Sequence, residues 1–208
     1  MRNNEELNAR IKEIKQSFRL MMDGVASQSM REKGLNYHVN WGASVPMLKQ
    51  KAQETGKDYD LAIALWKENV RECEILATMI MPAEQMLPEV VDIWMEQTPS
   101  QEVAEMASFN LYQHLPFAPA KAYEWIASDK DLYQLCGFHV LSRIFARGQE
   151  PNERGINEFL DQAMTALQGN SIAVKKAALA SVLRFADLGL VYERMAKSAV
   201  KSINLDVF

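Results

Sequence analysis

Two glutamates in the middle of the chain, Glu102 and Glu105, could include a catalytic acid. They lie in the stretch TPSQEVAEM, residues 98–106. Thr98 is predicted to be the N-cap of a helix, with Pro99 at its first position and Gln101 completing a capping box. A carboxylate in such a place can serve as a catalytic acid. The dipole of the helix also favours acids near its N-terminus, so catalysis and simple solvation both stay open.

Glu105 is the better catalytic candidate of the two. It shares a helical stripe with Gln101, four residues before it, and Tyr112, seven residues after it. Glu102 lies about 100° around the helix from Gln101 and is interpreted as a solvated helix charge. If the stripe faces a groove, Glu105 is the predicted catalytic acid, and Gln101 and Tyr112 line the groove.

A second candidate set lies on one face of a predicted helix near residue 140. His139 follows Cys136 by three residues and precedes Arg143 and Arg147 by four and eight. A metal site would need two further ligands, which no nearby spacing supplies, so no metal is predicted. The face suits contact with phosphates, and the alternative is a partly buried histidine beside two surface arginines.

A third candidate set is a basic face near residue 180. Lys176, Ala180 and Arg184 recur at four-residue spacing, flanked by Lys175 and Ser181. Such a stripe can grip phosphates. An exposed basic face does not require DNA, however, so both interpretations stay open.

The elements that position these residues are predicted to be helices, because apolar residues recur at three- and four-residue spacings. The predicted helices span residues 4–22, 44–55, 59–68, 70–80, 84–96, 99–114, 119–127, 131–147, 153–167, 171–186 and 189–203. Short helices joined by tight turns predict an all-α protein with a HEAT/armadillo-like superhelix, a C-shaped solenoid of antiparallel helix pairs. One domain is expected over 1–208, with 1–35 forming an N-terminal helix and a polar connector.

The composition of the sequence restricts the classes of protein to which this chain can belong. The formal net charge of −4 argues against coating of nucleic acid by bulk charge, although local patches can be basic. No apolar run approaches the roughly 20 residues that span a bilayer, which favours a cytoplasmic protein with no membrane contact. Cys73 and Cys136 lack a CxxC partner and are expected to be reduced thiols. No nucleotide-binding, zinc-protease or nucleophile-elbow motif occurs, so no cofactor is expected.

Residues 36–81 resemble the DNA alkylation repair family, the AlkD-like HEAT-repeat alkylpurine DNA glycosylases. The shared features are G-x-x-V-P-x-L at Gly42–Leu48, then Leu65-Trp66, Glu72 and Leu76-Ala77; Glu74 departs from a basic position of the family. Residues 175–189, KKAALASVLRFADLG, resemble the K-A-x-x-W-x-L-R helix of the family. With the repeats between them, the resemblance covers most of the chain from residue 36 onward.

The resemblance implies a C-shaped domain whose basic concave surface grips duplex DNA. Family enzymes remove N3- or N7-alkylated purines without flipping the base. Two tryptophans and an aspartate contact the deoxyribose of the lesion, and an arginine holds the backbone. The resemblance therefore implies a monomeric DNA-binding protein acting on alkylated duplex DNA.

The functional residues of the family, its two tryptophans, aspartate and arginine, are not all matched by the same residue types in this sequence. Its catalytic helix has a tryptophan and an aspartate four residues apart, and the matching positions here are Gln101 and Glu105. The extra methylene of glutamate moves the carboxylate by more than about 1 Å, a displacement that can cost on the order of a hundredfold in a positioned site. The arginine of the family falls at Leu135 or Cys136, and its second tryptophan falls at Ala180 or Ser181, depending on the alignment of that helix.

Three functions follow as hypotheses. The protein is a glycosylase that uses Glu105, a DNA-binding module without lesion chemistry, or, if the groove is not basic, a helical scaffold for a protein partner. The missing arginine and tryptophans favour the second hypothesis. In it the DNA surface consists of Arg143, Arg147, Lys176 and Arg184, with Gln101, Tyr112, His139, Lys175 and Ser181 beside them.

Overall fold

The computed structural model describes residues 4–205 and is almost entirely helical there, which confirms the predicted all-α class. No strand forms among these residues beyond one isolated bridge between Val39 and Val70. None of the described helices is long and apolar enough to cross a membrane. The helices are α1 (Asn4–Leu20), α2 (Gly24–Glu32), α3 (Val45–Thr55), α4 (Tyr59–Trp66), α5 (Arg71–Ile80), α6 (Pro88–Gln97), α7 (Gln101–Asn110), α8 (Ala118–Ile126), α9 (Asp131–Ala146), α10 (Glu153–Gln168), α11 (Ile172–Ala186) and α12 (Leu190–Ser202), with short 3-10 turns at Ala83–Gln85 and Tyr112–His114.

The chain forms two compact units, Met1–Leu111 and Tyr112–Phe208. In the first unit α5 is the central helix: it packs against α3, α4 and α7, and nine of its ten residues are buried. Three of the nine are charged, so the core of this unit must supply polar partners. The outlying α6 is held by Trp94, whose ring stacks on Trp66 of α4 with 4.2 Å between the centroids.

In the second unit α9 and α11 form the central pair, with α8 against α9 and with α10 and α12 against α11. Gly137 lets α8 and α9 approach closely, because a Cβ there would lie 2.8 Å from the carbonyl oxygen of Ala122. The rings of Phe145, Phe159 and Phe185 meet in tilted and edge-on contacts and fill the space between α9, α10 and α11.

The N-terminus of α7 differs from the sequence prediction. Its N-cap is Ser100, whose hydroxyl oxygen accepts from the amide of Val103 at 3.2 Å. Thr98 instead ends α6, where its hydroxyl donates to the carbonyl of Trp94. Gln101 is therefore the first helical residue and not part of a capping box.

A second difference is α2, which lies where the sequence predicted a polar connector. Asp23 caps this helix by accepting from the amide of Ala26 at 2.9 Å. Only Ser27 of the helix is buried, so the apolar periodicity that reveals a helix in a sequence is missing here.

Candidate functional site

Helix α7 turns its two glutamates to different surroundings. Val103, Ala104 and Ala107 are fully buried and fix the rotation of the helix. Glu102 then points toward the interior of the first unit, whereas Glu105 is half-buried at the surface. The two acids therefore have separate roles.

Glu102 is bound by an arginine from the central helix. Arg71 is 1% exposed, and its Nε and Nη2 donate to the two carboxylate oxygens of Glu102 at 2.8 and 2.6 Å. This two-pronged contact is the strongest common geometry for an arginine and a carboxylate. It ties the start of α7 to the start of α5.

Arg71 also helps to hold the loop before α3. Its Nη1 donates to the carbonyl of Ala43 at 2.9 Å and to Glu72 at 3.0 Å. Glu72, which is fully buried, in turn accepts from the backbone amides of Trp41, Gly42 and Ala43 at 3.0 to 3.2 Å. The charge of Glu72 is thus balanced by one guanidinium and three amides, as burial of a charge requires.

Tyr37 completes this cluster from the segment between α2 and α3. Its hydroxyl donates to Glu102 at 2.6 Å and lies 2.7 Å from the hydroxyl of Ser100. Burial, together with the bond to Glu102, raises the pKa of Tyr37 far above its ordinary value. The phenol therefore remains a hydrogen-bond donor.

Glu102 is consequently not the solvated charge that the sequence suggested. Burial alone would raise the pKa of this carboxyl, but the hydrogen bonds from Arg71 and Tyr37 outweigh it and leave the pKa below its ordinary value. Glu102 stays ionised and is committed to holding α7, α5 and the loop of Tyr37 together.

Glu105, the predicted catalytic acid, lies on the outward side of the same helix. The side-chain amide of Gln101 donates to its Oε1 at 2.8 Å, so the two predicted groove residues of α7 do meet. A carboxylate oriented by an amide can hold a water molecule or face a cation. Its role in catalysis stays a prediction.

A third acid, Glu74, is buried in an unusual way. It is 4% exposed, and its Oε2 has no hydrogen-bond partner among the described residues. Burial, with a smaller contribution from the charge of Glu72, raises its pKa to about 7. This acid occupies the position where the resembled family has a basic residue, and it is a titrating group inside the core of the first unit.

The predicted phosphate-binding cations all belong to the second unit. Arg143, Arg147, Lys176 and Arg184 are exposed, and Lys175 and His139 are half-buried. Arg147 is oriented by Gln113, to whose side-chain and backbone oxygens it donates at 2.7 and 3.0 Å. Arg184 pairs with Asp187 at 3.1 Å at the surface, where such a pair contributes little stability and can exchange for a phosphate.

Two predicted groove residues are wrong because they are buried. Tyr112 is fully enclosed and packs on Trp125 with 5.1 Å between the ring centroids. Ser181 is also fully buried, and its hydroxyl donates to the carbonyl of Ala178 at 2.7 Å. Neither side chain can reach DNA. The described residues contain no cluster of three His, Cys, Asp or Glu side chains that could hold a metal ion.

Sequence reasoning missed the cluster formed by Tyr37, Arg71, Glu72 and Glu102. One signal was available: Arg71 and Glu72 open a helix whose remaining residues are mostly apolar, and charges placed in a core need partners. The partner on α7 lies 31 residues away, a distance that helical periodicity does not bridge.

A family model described as DNA alkylation repair enzyme matches residues 14–194. The fold is similar to that of a solved structure described as a new family of proteins related to the HEAT-like repeat DNA glycosylases with affinity for branched DNA structures. The two structures align with a TM-score of 0.78 and 16% sequence identity, and the alignment covers 92% of this chain and 80% of that chain. At this identity the likeness establishes the fold, and it confirms the HEAT-like architecture predicted from the sequence. No curated protein gives a match.

Proposed function

Because the chain belongs to the DNA alkylation repair family, we propose that it is a DNA-binding repair protein that recognises branched DNA by its shape and does not excise a base. Its phosphate contacts come from the exposed cations of the second unit, on α9 and α11. The observation that carries this proposal is the uneven distribution of charge along the chain.

The distribution of charge restricts where DNA can lie. From residue 72 to residue 120 the sequence has no lysine or arginine and eight acids: Glu72, Glu74, Glu84, Glu89, Asp92, Glu96, Glu102 and Glu105. Glu72, Glu74 and Glu102 are buried or half-buried, but Glu84, Glu89, Asp92 and Glu96 are exposed, and a surface that carries only acids repels a polyanion. The exposed cations on α9 and α11 offer the contrasting surface, and their contacts with phosphates would supply the salt-dependent part of the affinity.

The residues at the signature positions of the family argue against lesion chemistry. Leu135 and Cys136, where the arginine was expected, are buried in the core. Ala180 and Ser181, where the second tryptophan was expected, offer no aromatic face. Gln101 replaces the first tryptophan and is engaged with Glu105. The groups that would grip a damaged nucleotide are therefore absent from these positions.

Recognition of DNA by its shape is consistent with the exposed cations on α9 and α11. Lysine and arginine contacts to phosphates position a protein on DNA but carry no sequence information. A rigid helical scaffold with such contacts can distinguish the paths of the DNA backbones. The affinity for branched DNA of the protein with a similar fold supports the choice of branched DNA as ligand.

The test is a titration of fluorescent four-way junction, three-way junction and linear duplex of matched sequence and length, at several salt concentrations. We expect tighter binding to the junctions, with a steep salt dependence for all three DNAs. Equal affinity for junction and duplex would leave DNA binding but remove the shape preference. No binding at low salt would overturn the proposal.

A second candidate function is excision of cationic alkylpurines by Glu105, which the ordered Gln101–Glu105 pair at the surface favours. Release of 7-methylguanine from methylated duplex tests it directly. The control is Glu105→Gln, which keeps the shape of the side chain and removes its charge. Release that disappears in this variant would replace the non-catalytic proposal.

A further inference from the structure

Two exposed helix faces of the chain are complementary in charge and in apolar content. On α6, Glu89, Ile93 and Glu96 follow one another at spacings of four and three residues, so they share one outward face. Ile93 is 51% exposed. This face, called the acidic face, combines the large apolar side chain of Ile93 with acids and lies in the part of the sequence that has no lysine or arginine.

The second face is on α12. Val191 and Met195 are exposed apolar side chains four residues apart, and Arg194 and Lys201 lie beside them on the same outward side. The only acid among the thirteen residues of α12 is Glu193, which accepts a hydrogen bond from Lys197 at 2.6 Å. This face, called the basic face, thus pairs apolar side chains with cations.

We propose that the acidic face of one molecule docks on the basic face of α12 of a second copy. Apolar side chains would be buried at the centre of the contact, with acid–base pairs around it, which is the common anatomy of protein interfaces. The two surfaces differ, so the contact is head-to-tail and each molecule keeps one face of each kind available for the next. The inference does not depend on DNA binding, and it replaces the monomer that the resemblance implied.

The two faces together favour a second copy as the occupant. Exposed apolar side chains rimmed by charge mark interaction surfaces, and here each face supplies the charge that the other needs. Complementary potentials steer association and exclude like-charged partners, since juxtaposed like charges are strongly unfavourable. Because one chain carries both faces, the two complementary surfaces are always present at equal concentration.

Charge reversal on each face tests the contact. Sedimentation of the DNA-free protein over a range of concentrations should show association in low salt that weakens in high salt. Glu89→Lys with Glu96→Lys, or Arg194→Glu with Lys201→Glu, should each lower the association constant more than about tenfold. The variant with all four substitutions should regain association, because the charges are exchanged.

The controls separate this contact from other effects. Lys33→Glu with Lys49→Glu changes the net charge by the same amount as the α12 variant at two exposed positions elsewhere, and it should leave association unchanged. Circular dichroism and thermal unfolding check that every variant is folded. A wild-type protein that sediments as a monomer at all concentrations, or variants on both faces that associate like wild type, would overturn the proposal whatever the DNA titration gives.

Discussion

The buried carboxyl of Glu74 should make the protein less stable as the pH rises through neutrality. Its pKa in the folded state is about 7, compared with an ordinary value of 4.5. Below pH 4.5 the group is protonated in both folded and unfolded states. Between 4.5 and 7 the unfolded state loses this proton while the folded state keeps it, so the free energy of unfolding falls with increasing pH.

The size of the effect follows from the shift in pKa. At 1.36 kcal/mol for each pH unit, the change from 4.5 to about 7 corresponds to about 3 kcal/mol lost by pH 8. Burial supports the full value, since Glu74 is only 4% exposed. Glu102 has the opposite dependence, because its pKa is lowered, but its contribution is lost only as the pH falls through that lowered pKa.

The assay is urea unfolding at pH values from 5 to 8, comparing wild type with Glu74→Gln. The amide is close in shape to the protonated acid and does not titrate, so the variant should lack this decrease with pH and be more stable than wild type at pH 8. Parallel pH profiles for the two proteins would refute the reasoning, because they would show that Glu74 does not change its protonation state between the folded and unfolded chain.

Three further predictions concern the cluster, the loop and the cations. Arg71→Met should lower the free energy of unfolding by about 3–5 kcal/mol in urea titrations, since it leaves the buried Glu72 and the half-buried Glu102 without their guanidinium. A loss below about 1 kcal/mol would contradict the role given to that group. Gly42→Ala should lower the free energy of unfolding by more than about 2 kcal/mol, because φ is +77° and the added Cβ would clash with the carbonyl oxygen of Asp23. Gly24→Ala, where the added Cβ meets nothing within 4 Å, is the control and should be close to neutral. Replacing Arg143 and Arg184 together by alanine should weaken DNA binding and reduce the slope of log K against log salt by about 2, and an unchanged slope would remove these two residues from the DNA surface.

The fold could be predicted further than the site because the two depend on different kinds of sequence signal. Apolar periodicity located α9 and α11 closely, since both helices bury continuous stripes. It missed α2, whose single buried residue is Ser27. The rotation of a helix at its end is harder still to predict: Tyr112 lies just past the cap of α7, in a 3-10 turn, so its extrapolated helical position on the stripe of Glu105 did not hold.

Long-range polar contacts could not be predicted from the sequence for a further reason. Whether a glutamate is solvated or buried depends on a partner that folding brings to it, and Glu102 meets Arg71 and Tyr37 from 31 and 65 residues away. Local spacing contains no information on either contact. For the same reason the sequence did not indicate that Glu74 is buried.

The structure also explains why the resemblance predicts the fold better than the activity. Gly42 and Glu72 belong to the motif that pointed to the family, and in the structure they contact each other: the amide of Gly42 donates to the carboxylate of Glu72 at 3.0 Å. Arg71 extends the contact to α7 through Glu102. These motif residues are thus occupied in joining α3, α5 and α7, and they can remain in place whatever stands at the surface. The signature positions carry Gln101, Glu105, Leu135 or Cys136, and Ala180 or Ser181. None of these residues belongs to the cluster, so the fold of the family does not depend on them.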